Sequence, residues 1–448
     1  MKQKIISIVF IAALFISCNK ELDIEPQQNI SQENALNSDA KVKKVLNGTY
    51  DVVSDGDLWG GDIMLFSELL AANDEISWEG TFNQPDEIWR KEIITTNSFV
   101  RDTWLDAYDA INNANNVLSA ITIVDAADQD RVKGEALFLR GSMYFELVKL
   151  FAQPYSAGNV NTNKGVPIVL TPTKTIDESS YVARSTVEQT YAQIISDLTT
   201  AESLLPSYND EYANKAVAAG MLSRVYLQME KFPEARDAAN RAITVAEGEG
   251  YELAATYIDA FNNTSNSSED LFAMQVTAQD GTNSMHTYWS IPDYGGRDGD
   301  VTIDASHFAF YSAGDERLDL FYIGAGDYRS GKWKFQYRNL PVMRLAELYL
   351  TRAEANFRVG TTIGATPAQD VSRTRQRAGL SAVGSVTLAG ILLERKLELA
   401  HEGHTLHDLK RLRNSADGFA YNANEMVLPI PQREVDASRG VIIQNDGY

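Results

Sequence analysis

Cysteine is nearly missing from this chain: Cys18 is the only one among 448 residues. No internal disulfide can form, and zinc sites built from several thiolates are excluded. Positive charge is also short, with 40 basic against 61 acidic side chains and a formal charge of −21. Nucleic acid and anionic lipid headgroups both demand a cationic face, so neither is an expected partner. Histidine is rarer still, at five. There is no Gly-x-Ser-x-Gly elbow, no phosphate-binding loop and no dinucleotide fingerprint. Long apolar runs are lacking as well: the stretch from Ile5 to Ile16 is too short to span a bilayer comfortably.

That short run has a different use. Lys2 and Lys4 precede it and the small Ser17 follows it, the order of a secretory signal over residues 1–17. Leu14-Phe15-Ile16-Ser17-Cys18 resembles a bacterial lipobox, with Phe15 where leucine is commoner. The resemblance implies cleavage before Cys18 and acylation of its thiol. Lipid chains contribute about 0.8 kcal/mol per buried CH₂, so two or three hold a protein on a membrane without a transmembrane helix. Loss of the signal removes two lysines and leaves 38 basic minus 61 acidic residues, a charge of −23. Residues 18–37 read as a polar, lipidated tether. Residues 38–448 read as one domain with an N-terminal part (about 38–264), a loop-rich binding insert (about 265–335) and a C-terminal part (about 336–448).

Helical spacing organises most of that domain. Val42, Val45, Leu46 and Tyr50 mark a helix over 38–53, and a second runs from about Ile63 to Ala72 after a turn-rich break that presents Trp59. Trp104, Tyr108, Ile111, Asn115 and Leu118 predict a helix over 98–121. Leu137, Gly141, Tyr144, Val148 and Phe151 predict another over 131–153, which Pro154 ends. Ser185 or Thr186 suits the N-cap of the next. Leu222, Tyr226, Phe232, Ala235, Ala239 and Ala242 match a tetratricopeptide-like helix pair over 216–246, and a related half-pattern returns at 345–357. One such unit cannot bury its own face, so several must stack. The fold class expected is mainly α, with helix pairs supporting an irregular, loop-rich half. From about 265 to 334 the helical period is absent, with strand-like pieces at 271–276 and 337–341.

Three of the five histidines, His401, His404 and His407, crowd into Gly390–Arg413. A zinc-protease helix needs two histidines four apart. Here the first two are three apart and Gly403 interrupts the helix, so buried or capping histidines are expected and no metal site. On the same helix Leu392, Leu393, Leu397, Leu399 and Ala400 share a face opposite Glu394, Arg395, Glu398 and Glu402, an amphipathic pattern. Asp293, Asp298, Asp300 and Asp304 could offer hard oxygens to Ca²⁺, but are equally ordinary turn formers. No other cofactor is expected. Binding chemistry is expected from aromatics in turn-rich, polar contexts: Trp59, Trp78, Tyr288, Trp289 and Tyr294. Flat rings suit the C–H faces of sugars, with Arg297 and nearby Asn and Asp bonding the hydroxyls. Trp104 sits on a helix stripe and is expected in the core.

Several stretches together resemble one family, SusD/RagB, the starch-utilisation-system D-like lipoproteins. They are Cys18-Asn-Lys-Glu-Leu-Asp-Ile-Glu-Pro26, Glu135–Phe151, Gly165–Leu170, Leu340–Ala355, Arg375–Leu380, Leu393–Arg411 and Leu428–Glu434. Thr405 departs from the pattern, where the family often has arginine. The resemblance implies four tetratricopeptide-like units and a place on the outer leaflet of a Gram-negative outer membrane. It also implies capture of an oligosaccharide and its delivery to a SusC-like TonB-dependent transporter, without enzyme activity. The shared motifs are scaffold motifs, so only loop positions carry over as ligand sites: those before Trp104 and around 280–300. Alternatives within reach of the sequence are a RagB-like peptide binder, a helical-repeat scaffold with no small ligand, and a cell-surface hydrolase.

Overall fold

The computed structural model describes residues 36–448 apart from positions 176, 280 and 282; the signal, Cys18 and most of the tether lie outside the described residues. Helices α1 (Asp39–Ser54) and α2 (Asp62–Leu70) flank a tight turn, and β1 (Ile76–Trp78) and α3 (Asn83–Arg90) follow. Then come the two longest helices, α4 (Ser98–Ser119) and α5 (Gln129–Phe151). Strands β2 (Lys164–Pro167) and β3 (Arg184–Thr186) form a small ribbon before α6 (Val187–Leu204), α7 (Lys215–Gln228) and α8 (Phe232–Gly248).

These helices begin where their caps allow. Asn97 accepts from the N–H groups of Phe99 and Val100, and Thr186 and Gln189 form a reciprocal capping box. Asn214 caps α7, and Pro233 occupies the first turn of α8, where a missing N–H costs nothing. Successive helices pack in a row, α1 on α4, α4 on α5, and so on through α6 and α7 to α8. Small residues set the spacing. A Cβ on Gly141 would lie 3.1 Å from Cβ of Asp197 and 3.2 Å from Cγ of Leu198, so glycine lets α5 close onto α6. Trp104 is buried in this core, its ring 4.9 Å from that of Phe151.

The region without helical period holds mostly short elements: β4 (Asp270–Met274), α9 (Ser284–Trp289), β5 (Val301–Ile303), α10 (Ala305–Phe308), β6 (Phe321–Gly324), β7 (Asp327–Ser330) and β8 (Leu340–Arg344). β4 and β8 pair antiparallel, the latter extending three residues beyond the strand expected there. β1, β5, β7 and β6 form a four-stranded antiparallel sheet in that order, with Trp78 opposite Val301. β8 runs straight into α11 (Leu345–Val359), which packs on α8 and receives α12 (Pro367–Arg377) and α13 (Leu388–Glu398). α14 (Thr405–Arg411) and α15 (Gln432–Ala437) complete the chain.

α13 corrects the amphipathic expectation. Leu393 is 40% exposed, whereas Glu394, Arg395, Glu398 and Glu402 are all buried. Their charges are matched from distant segments. Arg344 donates to Glu402 at 2.7 and 2.8 Å, to Glu398 at 3.0 Å and to Glu269. Lys332 donates to Glu402 at 2.5 Å, Arg317 to Glu394 at 2.8 Å, and Arg395 to Asp408 at 2.8 Å. Removing an ion from water costs several kcal/mol unless it is paired and hydrogen-bonded, and here each carboxylate faces a cation. The polar face is therefore buried too, alongside Leu397, Leu399 and Ala400, which lie inside as expected.

Candidate functional site

Three segments meet at one end of the four-stranded sheet: 79–82 after β1, 290–300 before β5, and 334–338 after β7. The N–H of Glu79 donates to the carbonyl of Asp300 at 2.7 Å and carries the ladder past Trp78. A Cβ on Gly80 would lie 2.5 Å from Cζ2 of Trp78 and 2.6 Å from Oδ1 of Asp300, so only glycine lets this loop close over the indole. The loop then presents Thr81 and Phe82.

Phe82 is 40% exposed, and the Arg297 guanidinium lies over its ring, 4.0 Å from the centroid. Arg297 is held in turn by Asp300, Nη1 donating to both carboxylate oxygens at 2.9 Å, while Nη2 donates to the Thr81 hydroxyl. Beneath Phe82, the Tyr288 ring stands edge-on to Trp78 (5.6 Å) and to Phe82 (6.2 Å), with Phe99 alongside. Three residues before Arg297, Tyr294 stands perpendicular to Tyr322 and to Phe335, each at 5.6 Å. The Lys334 ammonium sits 4.3 Å from the Tyr294 centroid and 4.6 Å from that of Tyr322, and Phe335 is 41% exposed. The result is a shelf with two partly exposed rings, Phe82 and Phe335, each beside a cation and packed against other rings.

α9 links this shelf to a cleft. Tyr288 faces Trp78, and Ser284, one turn earlier, lines a cavity of ≈ 690 Å³ with Asp55, Asp57, Asp106, Asp109, Gln275 and Asn283. Asp102, Asp106 and Asp109 recur at spacings of four and three on one face of α4. Burial, then the charges of Asp106 and Asp55, push the Asp57 carboxyl up to about 7. Burial and the charges of Asp55 and Asp109 push Asp106 up to about 6, although it hydrogen-bonds Asp57. Asp55, Asp57 and Asp106 each bring one carboxylate oxygen within 4.8 Å of the others, a group able to hold a metal ion.

The expected site residues divide. Trp78, Tyr288 and Arg297 come together around Phe82, and Tyr294 anchors the Phe335 side. Trp78 and Tyr288 are themselves largely buried, so they support the shelf from below. Trp59 and Trp289 are not exposed loop aromatics, and that expectation is corrected. Trp59 turns inward, its ring 5.6 Å from Phe272 and its indole N–H 3.5 Å from a Glu146 oxygen. Trp289 is fully buried against His401, 5.0 Å between centroids. The four aspartates weighed for Ca²⁺ do not gather: Asp300 is engaged by Arg297, and Asp304 accepts from Ser77 at 2.8 Å. The three C-terminal histidines form no such group among the described residues either. His401 (φ 64°) and Gly403 (φ 78°) break the chain between α13 and α14, and burial followed by nearby positive charge holds all three histidines below their ordinary pKa. Sequence reasoning missed Phe82 and Phe335, because it nominated only tryptophans and tyrosines as ring platforms. It missed the Asp57–Asp106 pairing because the two lie on separate elements.

Comparison with known proteins bears on this geometry. A family profile described as "Starch-binding associating with outer membrane" matches residues 21–227, and one described as "SusD family" matches residues 324–426. The chain is 24% identical to SusD-like protein P2 of Formosa agariphila over 522 aligned positions, covering 100% of both. Among solved structures it is similar to a candidate sugar binding protein of Bacteroides vulgatus, with 28% identity, a TM-score of 0.82, and 92% of this chain and 99% of that one covered. A laminarin binding SusD-like protein shares the fold at 24% identity and a TM-score of 0.77, covering 92% and 100%.

Proposed function

Because the chain belongs to the SusD/RagB family, we propose that it is a lipid-anchored glycan-binding protein of the outer-membrane surface, which captures an oligosaccharide and delivers it to a SusC-like TonB-dependent transporter. The observation that carries this reading is Phe82: a partly exposed ring locked in place by Arg297 and bordered by the Thr81 hydroxyl. A sugar ring offers an apolar C–H face to such a surface and hydroxyls to the polar groups at its margin. Phe335, beside Lys334, offers a second face for another part of the same chain of sugars. The starch-binding description of the N-terminal profile and the laminarin-binding neighbour support a glycan as ligand. Acylation of Cys18 supplies the anchor in this reading.

The test is calorimetric titration of the purified protein with panels of oligosaccharides and peptides, with the sugars recovered and sized afterwards. Saturable binding of at least one glycan, returned at unchanged length, is the expected result. Binding of peptides alone would overturn the glycan assignment, and shortened sugars would make the protein a hydrolase. Affinity capture from solubilised outer membranes should recover a large β-barrel protein; its absence would remove the transporter from the proposal.

A further inference from the structure

We propose that Asp55, Asp57 and Asp106 form a binding site for a divalent cation, Ca²⁺ in preference to Mg²⁺, at the wall of the acidic cleft. The inference is independent of the glycan reading and rests on three observations. The first is convergence: one oxygen from each carboxylate lies within 4.8 Å of the other two. Ca²⁺ binds oxygen at about 2.3–2.6 Å, so oxygens on opposite sides of one ion stand up to about 4.6–5.2 Å apart. The three therefore fit around a single ion as they stand.

The second observation is uncompensated charge. Among the described residues none of the three has a lysine or arginine within ion-pair distance, and the nearby Arg101 is spent on Asp102, at 2.7 and 2.9 Å. The third is Asp62. It is 2% exposed, and its N–H donates to the carbonyl of Gly56, the residue between Asp55 and Asp57, at 2.8 Å. Its Oδ1 has no hydrogen-bond partner, and the charged group acting most strongly on it is Asp57. A buried carboxyl oxygen with no donor, close enough to Asp57 and Asp55 to feel their charge, is costly unless a cation shares the space.

The ligand chemistry selects the ion. Carboxylate oxygens are hard donors that suit Ca²⁺ and Mg²⁺ over zinc or copper. Two of the three come from an irregular turn, and the cleft leaves room for water to complete the shell. Mg²⁺ demands a near-ideal octahedron, whereas Ca²⁺ accepts such an uneven set. Bound there, the ion would join the Asp55–Gly61 turn to α4, reinforcing the bond from the Thr103 hydroxyl to the Asp57 carbonyl at 2.9 Å.

The purified protein, stripped with EDTA, is titrated with CaCl₂ in a calorimeter and melted with and without the ion. One saturable site is expected, with Kd of about 10⁻⁴–10⁻³ M, the range of extracellular calcium modules. A rise in Tm of about 2–3 °C should accompany saturation. Asp57→Asn/Asp106→Asn should bind at least tenfold more weakly, by the lost ligand charge, and lose the Tm rise. Asp55→Asn, which removes an exposed carboxylate and leaves the fold intact, should also weaken binding, while Asp293→Asn should not. Absence of any Ca²⁺-dependent heat or Tm change up to about 10 mM, well above that range, overturns the proposal. So does an unchanged Kd in Asp55→Asn.

Discussion

Truncating Phe82 removes a ring that is 40% exposed and carries the Arg297 guanidinium at 4.0 Å. Little of its surface supports the core, so Phe82→Ala should lower glycan affinity by about 1–2 kcal/mol, roughly five- to thirtyfold, with a stability change near 0.5 kcal/mol or less. An unchanged Kd would dismiss this ring as a ligand contact. Trp289→Ala is the contrast. Its indole is enclosed beside His401, so the loss should appear as about 3–5 kcal/mol of unfolding free energy, with the folded fraction binding glycan as before. Weaker binding at an unaltered Tm would overturn its place in the core. Both residues stand in polar, Gly-rich surroundings in the sequence, which is why composition could nominate the region but not the ring. Exposure there depends on which neighbour closes over the side chain, and for Trp78 that is the Gly80 loop.

At the scale of elements, periodicity made the helices legible and partner choice did not. The caps at Asn97 and Thr186, the proline stop at 154 and the alanine face of α7 and α8 are local matters, decided within a turn or two. The inner face of α13 is not local. Its carboxylates are matched by Arg344, 54 positions from Glu398, and by Lys332, 70 positions from Glu402. A helical wheel read alone must assign those charges to solvent. The break after α13 was legible through Gly403, and the structure explains its necessity. At φ 78° a Cβ would sit 2.8 Å from Cα of Met64 on α2, so the backbone of another element is in the way. Gly403→Ala should therefore cost about 2 kcal/mol or more, beyond the usual left-handed penalty of about 1–2 kcal/mol. A calorimetric Tm within error of the parent would show that α2 can move aside. The same substitution at Gly384, which has nothing within 4 Å, serves as the control.

For the whole molecule, buried carboxyl groups pull stability in opposite directions along the pH axis. Burial pushes Glu68 up to about 7 despite bonds from the Thr405 hydroxyl and the Gly403 N–H, and it pushes Asp270 up to about 7 despite the N–H of Ser267. In the unfolded chain both titrate near 4, about 4.3 for Glu and 3.9 for Asp. Between those limits the folded state holds protons that the unfolded state has lost, so their contribution is complete below about pH 4 and is lost as pH rises toward 7. Glu398, Glu402, Glu354 and Asp408 behave oppositely. Burial alone would raise them, but the arginines and lysine around them outweigh it and hold them below the ordinary range. Their contribution is present above about pH 4.3 and fades as pH falls further. Self-repulsion within a chain of formal charge −21 eases on acidification too, which adds to the first trend. The three buried histidines, held below their ordinary range, oppose the first trend by losing stability as pH falls below about 6.5, so the carboxyl contribution is read from the difference between parent and variant melting curves in EDTA. Asp270→Asn and Glu68→Gln together should remove the part of the Tm loss that the parent shows, relative to the variant, between about pH 4 and pH 7, and leave the acid limb in place. A Tm difference between parent and double variant that stays constant from pH 5 to pH 8 would show that these two carboxyls are ionised in the folded protein at neutral pH.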